Sequence, residues 1–360
     1  MDIKKLDHNF AEENAKSENG MKYYNIPEEP FDLYGVYFCE KEQKFVRMDG
    51  DVARGVSQYV AGLYGNTAGG RIRFSTDSDV IELKVTYDSL SEMSHMPLTG
   101  SCGFMLIDET EREPAYVYVF RPGHKGKNPT GFSDATKIKN RNGMRKYILY
   151  MPLYNNVTSV TIGVSDNATV DHGRNYRIFD PILYYGSSIT QGGCASRPDN
   201  CYQAIIESHT NIDFINLGFS NGARAEEAMV DHLASIDTSL FVCDYDHNEV
   251  DYKEVRRKHY ALYERYREKR PDTPILFLTK PDFERILDGD NNIDRVDIIT
   301  ATYDRARAAG DKNVYMIDGR EFFAGYDKYR CAVDCSHPND FGFYRMAEVI
   351  EKKIREILDI

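Results

Sequence analysis

The stretch that decides the fold runs Ile182-Leu183-Tyr184-Tyr185-Gly186-Ser187-Ser188-Ile189-Thr190-Gln191-Gly192-Gly193. Its apolar beginning, closed by a glycine, is typical of a strand covered on both faces of a parallel sheet. Ligands of open α/β sheets bind beyond the carboxyl ends of such strands. The serines that follow would stand at the rim of a rigid sheet, where a hydroxyl can attack a substrate.

Downstream of Arg174, strand-like runs alternate with helical ones. Strands are predicted at Ile182–Tyr185, Phe214–Leu217, Leu240–Cys243, Ile275–Leu278 and Val314–Ile317. Helices are predicted at Cys201–His209, Glu226–Ile236, Val255–Arg267, Ile293–Ala309 and from about Asp340, where Asn339 or Asp340 can cap the last helix. This alternation predicts a parallel sheet with helices on both faces.

Upstream the pattern is all-β. Strands are predicted at Arg71–Thr76, Val80–Thr86, Gly103–Ile107, Tyr116–Phe120, Lys146–Met151 and Ser159–Val164. Short strands without long helices between them are typical of an antiparallel sandwich or jelly roll. Lys125–Arg145 is predicted to be a long loop, and the residues up to about Glu29 to trail loosely. The sequence thus predicts an all-β domain at 1–175 and an α/β domain at 176–360.

Composition narrows the class of protein. The chain of 360 residues is 41% hydrophobic and carries a net charge of −12, which argues against nucleic-acid or anionic-membrane partners. It has no apolar run of membrane-spanning length, and its first eight residues lack the apolar core of a signal peptide. The seven scattered cysteines favour reduced thiols, so a cytoplasmic location is predicted. No metal or cofactor is predicted, and the sequence does not indicate an oligomeric state.

Four polar blocks fall at predicted strand ends or just before a helix. They are Gly186–Gln191, Asn216–Ser220, Asp244–Asn248 and Asp334–His337. The carboxyl ends of parallel strands meet at one edge, so we expect these blocks to lie together. His337 can then take the proton of a serine hydroxyl, and Asp334 can orient the imidazole.

A tetrahedral intermediate formed by such a serine needs hydrogen-bond donors for its oxyanion. The backbone N–H groups of Ser188 and Gly218 and the side-chain amide of Asn248 are the candidates. Loss of one oxyanion donor typically costs about a hundred- to a thousand-fold in rate. The four blocks together therefore predict acyl chemistry at a serine.

In chain order the four blocks resemble those of the SGNH (GDSL-type) hydrolases. The resemblance implies a flavodoxin-like three-layer domain in which Ser188 is the nucleophile, Asp334 and His337 complete a triad, and Gly218 and Asn248 serve the oxyanion hole. Two positions depart from the family pattern: Ser187 replaces its aspartate, and Asp246 stands where glycine is usual.

In the amino half, Phe31-Asp32-Leu33-Tyr34 resembles the Gly-x-Asp-Leu-Tyr signature of a β-rich module that precedes such hydrolases, with Pro30 in place of its glycine. The two-part organisation is similar to that of carbohydrate esterases with a jelly roll before an SGNH domain. What this implies is the removal of acetyl groups from oligosaccharides of plant polysaccharides such as mannan or xylan.

Two cationic residues border the expected cleft. Arg197 lies in the loop after the serine, and Lys280 follows the fourth strand of the parallel sheet. Both are candidates for substrate contact. Three alternatives stay open: a general short-chain lipase or arylesterase, acyl transfer to a sugar hydroxyl, and a non-catalytic carbohydrate-binding protein.

Overall fold

The computed structural model describes residues 20–123, 130–138, 143–177, 180–249, 251–281, 292–334 and 336–360. The strands of the amino half are β1 Met21–Asn25, β2 Asp32–Tyr34, β3 Tyr37–Cys39, β4 Lys44–Val46, β5 Arg71–Thr76, β6 Val80–Tyr87, β7 Phe104–Asp108, β8 Ala115–Phe120, β9 Gly131–Lys137, β10 Arg145–Tyr150, β11 Val157–Ser165 and β12 Val170–His172. Short helices lie between them: α1 Gly50–Val56, α2 Gln58–Leu63 and α3 Leu98–Ser101.

These strands form the expected antiparallel sandwich. One sheet has the order β1-β11-β6-β9, and the other the order β12-β5-β10-β7-β8, with β2 also paired to β5. Leu83 and Ile162 of the first sheet share a core with Phe74 and Leu149 of the second. Alternate residues of each strand fill this core, as the period of two in the sequence predicts.

Two local predictions in the amino half were wrong. The predicted loop Lys125–Arg145 contains β9, which pairs with β6 from Val80↔Lys137 to Thr86↔Gly131. The loosely trailing start contains β1, which pairs with β11. Four of the seven residues of β9 have low strand propensity (Gly131, Asp134, Ala135 and Lys137), and pairing with the buried strand β6 overrides that preference. Residues 125–129 and 139–142 of the predicted loop lie outside the described residues, as do residues 1–19 of the predicted loose start and Cys335 of the fourth block.

The carboxyl half is the predicted α/β domain. Its elements are β13 Ile182–Gly186, α4 Ser188–Gln191, α5 Tyr202–Thr210, β14 Phe214–Gly218, α6 Glu227–Ser235, β15 Leu240–Asp244, α7 Tyr252–Lys269, β16 Ile275–Leu278, α8 Asn292–Ala308, β17 Val314–Ile317 and α9 Asp340–Leu358. The sheet order is β14-β13-β15-β16-β17, with every pairing parallel. In domain order this is 2-1-3-4-5, the flavodoxin-like arrangement.

Helices cover both faces of this sheet. Ile182 and Tyr184 of β13 pack in one core with α5 and α9, whereas Leu183 and Tyr185 pack in another with α6, α7 and α8. Phe343, Met346, Ile350 and Ile354 line one face of α9 and are buried, and Asn339 caps that helix by accepting the N–H of Gly342 at 3.0 Å. None of the helices in the described ranges combines the length and the apolar content needed to cross a membrane.

Buried arginines of the β half bind the α/β half. Arg47 donates from Nη1 to the carbonyls of Asn216 (3.1 Å) and Gly218 (2.6 Å), and from Nη2 to that of Leu63 (2.8 Å). Its guanidinium lies 4.5 Å from the centre of the Phe219 ring. Burial lowers the pKa of Arg47 to about 9. Arg47 thereby fixes the chain where it leaves β14.

Arg71 and Arg73 make further contacts from β5. Arg71 Nη2 donates to Asp213 Oδ1 (2.5 Å) and to the carbonyl of Phe214 (2.9 Å). Arg73 Nη2 donates to Glu207 Oε1 at 2.8 Å. Buried guanidinium groups require such partners, because an unpaired buried charge is costly. The two halves are therefore joined by polar contacts as well as by shared core residues.

We predict that Arg47→Met lowers the free energy of unfolding by on the order of 3 kcal/mol. Methionine keeps much of the apolar length but donates nothing, and each buried acceptor left unsatisfied costs about 1–3 kcal/mol. Urea denaturation of purified variants measures this change.

The matched control for this variant is Arg54→Met. Arg54 is half-exposed and forms an ion pair with Asp51 at 2.6 Å on the surface of α1. Such pairs typically contribute less than about 1 kcal/mol. Equal losses from the two variants would contradict the role assigned to Arg47.

Candidate active site

Ser188 is the first residue of α4 and follows β13 directly. The hydroxyl of Ser187 caps this short helix by accepting the N–H of Ile189 at 3.1 Å. Serine and aspartate are equally good caps, which explains why Ser187 can stand where an aspartate was expected. Ser188 is only 6% exposed, so its hydroxyl is held in a defined place at the sheet edge.

The loop that carries Asp334 and His337 is closed by backbone pairing. Ala332 and Pro338 form an antiparallel bridge, and the N–H of Val333 donates to the carbonyl of His337 at 2.9 Å. Inside the loop, Asp334 Oδ1 accepts the N–H groups of Ser336 (3.0 Å) and His337 (2.8 Å). The sequence spacing of three residues thus becomes a turn that fixes the carboxylate against the imidazole.

The structure brings Ser188, His337 and Asp334 together in one hydrogen-bonded chain. Ser188 Oγ lies 2.8 Å from His337 Nε2, and His337 Nδ1 lies 2.8 Å from Asp334 Oδ2. With its proton on Nδ1, the imidazole donates to Asp334 and accepts from the serine hydroxyl. Burial alone would raise the pKa of Asp334, but the hydrogen bonds from His337 outweigh it and lower that pKa. The carboxylate is therefore ionised at neutral pH.

The other predicted oxyanion donors have protein acceptors in this structure. The N–H of Gly218 donates to Asn216 Oδ1 at 2.9 Å. The side-chain amide of Asn248 donates to the carbonyls of Phe219 (2.9 Å) and Ala223 (3.1 Å). The N–H of Ser188, by contrast, is at the first position of α4, where no intrahelical acceptor exists. The oxyanion roles of all three residues stay predictions.

The two candidate substrate contacts differ in their surroundings. Arg197 forms an ion pair with Asp199 at 2.9 Å, and its guanidinium lies 5.5 Å from the centre of the exposed Tyr116 ring. Lys280 is buried, and its backbone N–H donates to Asp246 Oδ2 at 3.2 Å. Both assignments to the substrate stay predictions.

Sequence reasoning missed two neighbours of the site. The hydroxyl of Tyr154, from the β half, lies 3.3 Å from the carbonyl of Ser188 and 3.3 Å from Ser220 Oγ. His247 Nε2 lies 3.0 Å from Ser336 Oγ, and its ring centre is 6.4 Å from that of His337. Tyr154 stands in a turn-like stretch whose sequence carries no sign of catalysis. His247 could have been found from its place in the third block.

Two buried carboxyl groups lie beneath the site. Thr190 Oγ1 donates to Asp244 Oδ2 at 3.0 Å, and burial raises the pKa of Asp244 well above its ordinary value. Burial also raises the pKa of Asp246 to about 6, although the charge of Arg295 opposes it. Among the described residues, the side chains whose potential metal-binding atoms lie close enough together to share an ion are those of His95, Cys194 and Asp334, and not the carboxyl groups of Asp244 and Asp246.

Two family models match the two halves of the chain. Residues 180–355 match the model of the GDSL-like Lipase/Acylhydrolase family. Residues 21–170 match the GxDLY model, described as the N-terminus of Esterase_SGNH_hydro-type proteins. No curated protein sequence matches the chain.

Solved structures resemble the whole chain. A protein of Bacteroides ovatus ATCC 8483 described as a GDSL-like lipase is 28% identical, with a TM-score of 0.84, over 94% of this chain and 98% of that one. A salicylyl-acyltransferase, SsfX3, from a tetracycline biosynthetic pathway is 16% identical (TM-score 0.76, 95% and 98% covered). A family two carbohydrate esterase of Clostridium thermocellum, in complex with cellohexaose, is 15% identical (TM-score 0.59, 81% and 93% covered). The last two similarities concern the fold alone.

We predict that Gly218→Ala strongly reduces esterase activity, with kcat affected more than stability. A Cβ at this position would lie 2.2 Å from the backbone nitrogen of Gln191 and 2.6 Å from the carbonyl carbon of Thr190, so α4 would have to move. A displacement of about 1 Å at a catalytic group can cost about a hundred-fold in rate. Steady-state kinetics on a chromogenic acetate ester measures the effect.

Gly62→Ala serves as the control, because a Cβ at this position in α2 meets nothing within 4 Å. It should leave kcat unchanged. If Gly218→Ala retained the same kcat as this control, the close packing of Gly218 on α4 would not matter for the position of Ser188.

Proposed function

Because the chain joins a GxDLY module to a GDSL-like hydrolase domain, we propose that it is a serine esterase that removes acetyl groups from acetylated oligosaccharides. The observation that carries the proposal is the hydrogen-bonded chain from Ser188 Oγ through His337 to Asp334, with both distances 2.8 Å. A serine hydroxyl becomes a competent nucleophile when a base so placed takes its proton.

In the acylation step, Ser188 Oγ attacks the ester carbonyl carbon while its proton moves to His337 Nε2. The negative charge of Asp334 stabilises the imidazolium that forms. The tetrahedral intermediate then collapses, and His337 gives the proton to the departing sugar oxygen. The sugar hydroxyl leaves, and the acetyl group stays bound to Ser188.

In the second step, water takes the place of the sugar. His337 accepts a proton from the water, whose oxygen attacks the acetyl carbonyl. Collapse of this intermediate returns the proton to Ser188 Oγ and releases acetate. Ser188 and His337 thus exchange a proton in both steps, from Ser188 to His337 in the first and from His337 to Ser188 in the second.

The proposed oxyanion hole begins with the N–H of Ser188 at the positive end of α4. Gly218 and Asn248 can join it only by giving up their present acceptors, Asn216 Oδ1 and the carbonyls of Phe219 and Ala223. Their contribution therefore depends on a small rearrangement when substrate binds, whereas that of Ser188 does not.

Crowding beside the serine supports a short acyl group. A methyl group added at Gly193 would lie 2.9 Å from the hydroxyl of Tyr154, 3.0 Å from the carbonyl of Ser188 and 3.2 Å from His337 Cδ2. Little free space is therefore left between Gly193, Tyr154 and His337. An acetyl group requires less space than the chain of a lipid ester.

The proposal of a sugar substrate draws support from Tyr116 and Arg197. Tyr116 is 59% exposed, and the guanidinium of Arg197 lies 5.5 Å from its ring centre, held there by Asp199 and Asn200. An exposed aromatic face beside fixed donors can stack on a sugar ring and bind its hydroxyls. Arg197, beside Tyr116, is therefore a proposed substrate contact.

We predict that wild-type protein releases acetate from acetylated xylan or mannan oligosaccharides and that Ser188→Ala lowers turnover by about 10⁴-fold or more. The wild-type protein should also cleave para-nitrophenyl acetate far faster than the octanoate. Ser187→Ala, which removes the neighbouring hydroxyl, should lose much less activity.

The two substrates separate the two parts of the proposal. Cleavage of para-nitrophenyl acetate without release from either oligosaccharide would keep the esterase and reject the sugar. Faster cleavage of the octanoate would favour a lipase. Full activity in Ser188→Ala would reject Ser188 as the nucleophile.

We predict that His337→Ala reduces kcat more than Asp334→Asn, by roughly a factor of ten to a hundred. His337 transfers the proton, whereas Asp334 orients the imidazole of His337. The side chain of Asp334 is 37% exposed, so water can replace part of the charge stabilisation that Asp334 provides. Asparagine also keeps an Oδ1 acceptor for the N–H groups of Ser336 and His337. The reverse ranking in folded proteins would contradict these roles.

A further inference from the structure

Three side chains of the kinds that bind metal ions, one of them Asp334, lie close together beside the hydrogen-bonded chain of Ser188, His337 and Asp334. His95 lies in the segment between β6 and α3 of the β half, and Cys194 in the turn after α4. The ligand atoms of His95, Cys194 and Asp334 all lie within 4.8 Å of one another. The ring centres of His95 and His337 are 6.1 Å apart. The group therefore shares Asp334 with the hydrogen-bonded chain and adds His95 and Cys194.

The dimensions of this group fit a tetrahedral metal ion after a small adjustment. Zinc binds sulfur at about 2.3 Å and nitrogen or oxygen at about 2.0–2.2 Å, which places its ligand atoms about 3.4–3.7 Å apart. Contraction from the present spacing is about 1 Å. His95 is exposed and can supply this movement, while Cys194 is buried and fixed.

The backbone at Cys194 is strained in a way that glycine would relieve. Its φ is +73°, in the left-handed region, and the two preceding residues are glycines. A non-glycine residue held there costs on the order of 1–3 kcal/mol, and such strain is concentrated at functional sites. A side chain kept at this cost has a use, and a thiol facing a carboxylate and an imidazole can bind a cation.

The thiol is protonated in the absence of a metal. Burial, and next the negative charge of Asp334, raise the pKa of Cys194 to about 12. A divalent cation would displace this proton to solvent, because the thiolate is the metal-binding form. The thiolate and the Asp334 carboxylate together then neutralise both positive charges of the ion.

We propose that His95, Cys194 and Asp334 form an inhibitory site for a soft divalent cation such as Zn²⁺. The inhibitory part of this inference rests on the proposed function, whereas the binding part does not. Thiolate and imidazole ligands favour Zn²⁺ or Cd²⁺ over Mg²⁺ and Ca²⁺, which favour oxygen. Three protein ligands leave the fourth position to water.

Inhibition follows from the position of Asp334 in both groups. Its Oδ2 is the acceptor for His337 Nδ1 at 2.8 Å, and its Oδ1 already accepts two backbone N–H groups. A cation on either oxygen neutralises the charge that stabilises the imidazolium. His337 would then be a weaker base, without any change at Ser188 itself.

The test uses the full chain as wild type, Cys194→Ser and His95→Gln, with Cys39→Ser as the matched control. Cd²⁺ is titrated first, and the ultraviolet charge-transfer absorption of the Cd²⁺–thiolate bond reports binding without any need for activity. Wild type and Cys39→Ser should give this absorption at equal Cd²⁺ concentrations, and Cys194→Ser should not. His95→Gln should require more than about ten times as much Cd²⁺, since loss of even an outer partner typically costs 10–100-fold in affinity.

Zn²⁺ inhibition of acetate-ester cleavage is then measured relative to the metal-free rate of each variant. The Zn²⁺ concentration for half-inhibition should rise more than about tenfold in Cys194→Ser and His95→Gln, and Mg²⁺ should not inhibit wild type. Persistence of the Cd²⁺ absorption in Cys194→Ser, or equal Zn²⁺ inhibition of all variants, would overturn the proposal. If the protein cleaved no ester, the Cd²⁺ titration would still decide the site, and the proposed function alone would fail.

Discussion

The buried guanidinium of Arg47 is the contact on which the geometry of the site depends. It binds the carbonyls of Asn216 and Gly218 where β14 ends beside α4. Buried carbonyls at a strand end need donors, and the sheet itself supplies none beyond its edge. Because the donor comes from the β half, the loop beside Ser188 takes its shape from outside its own domain. The β half thereby helps to shape the edge of the parallel sheet that carries Ser188.

Much of the fold and the site could be predicted because the decisive signals are local. β13 is a continuous apolar run ended by glycine, and the turn from Asp334 to His337 is set by a spacing of three residues. The carboxyl ends of parallel strands must meet at one edge, so the order of the blocks was enough to place them together. Arg47, Tyr154 and His95 left no such signal. Each reaches the site from far along the chain, and such contacts depend on how the sandwich docks.

A sequence pattern can also show that a residue is needed at a site without showing which of its atoms makes the contact. At Gly218 the missing Cβ matters in this structure, since the backbone of Gln191 occupies the space a side chain would need. Its N–H is bound to Asn216 Oδ1. Asn248 similarly holds the carbonyls of Phe219 and Ala223 with both amide hydrogens. Spacing alone cannot distinguish a residue that donates to substrate from one that shapes the loop.

Asp246 shows how a departure from the family pattern is accommodated. Placing a carboxyl where glycine is usual buries a charge, and burial raises the pKa of Asp246 to about 6. The backbone N–H of Lys280 donates to Asp246 Oδ2. The guanidinium of Arg295 donates to the backbone carbonyl of Asp246 at 2.5 Å. These contacts tie the turn after β15 to β16 and α8. The next residue, His247, then lies 3.0 Å from Ser336 Oγ, directly beside His337. The carboxyl of Asp246 therefore anchors the turn that contacts the loop of His337. The cost of burying this carboxyl is offset by Lys280 and Arg295, which lie 34 and 49 residues later in the chain.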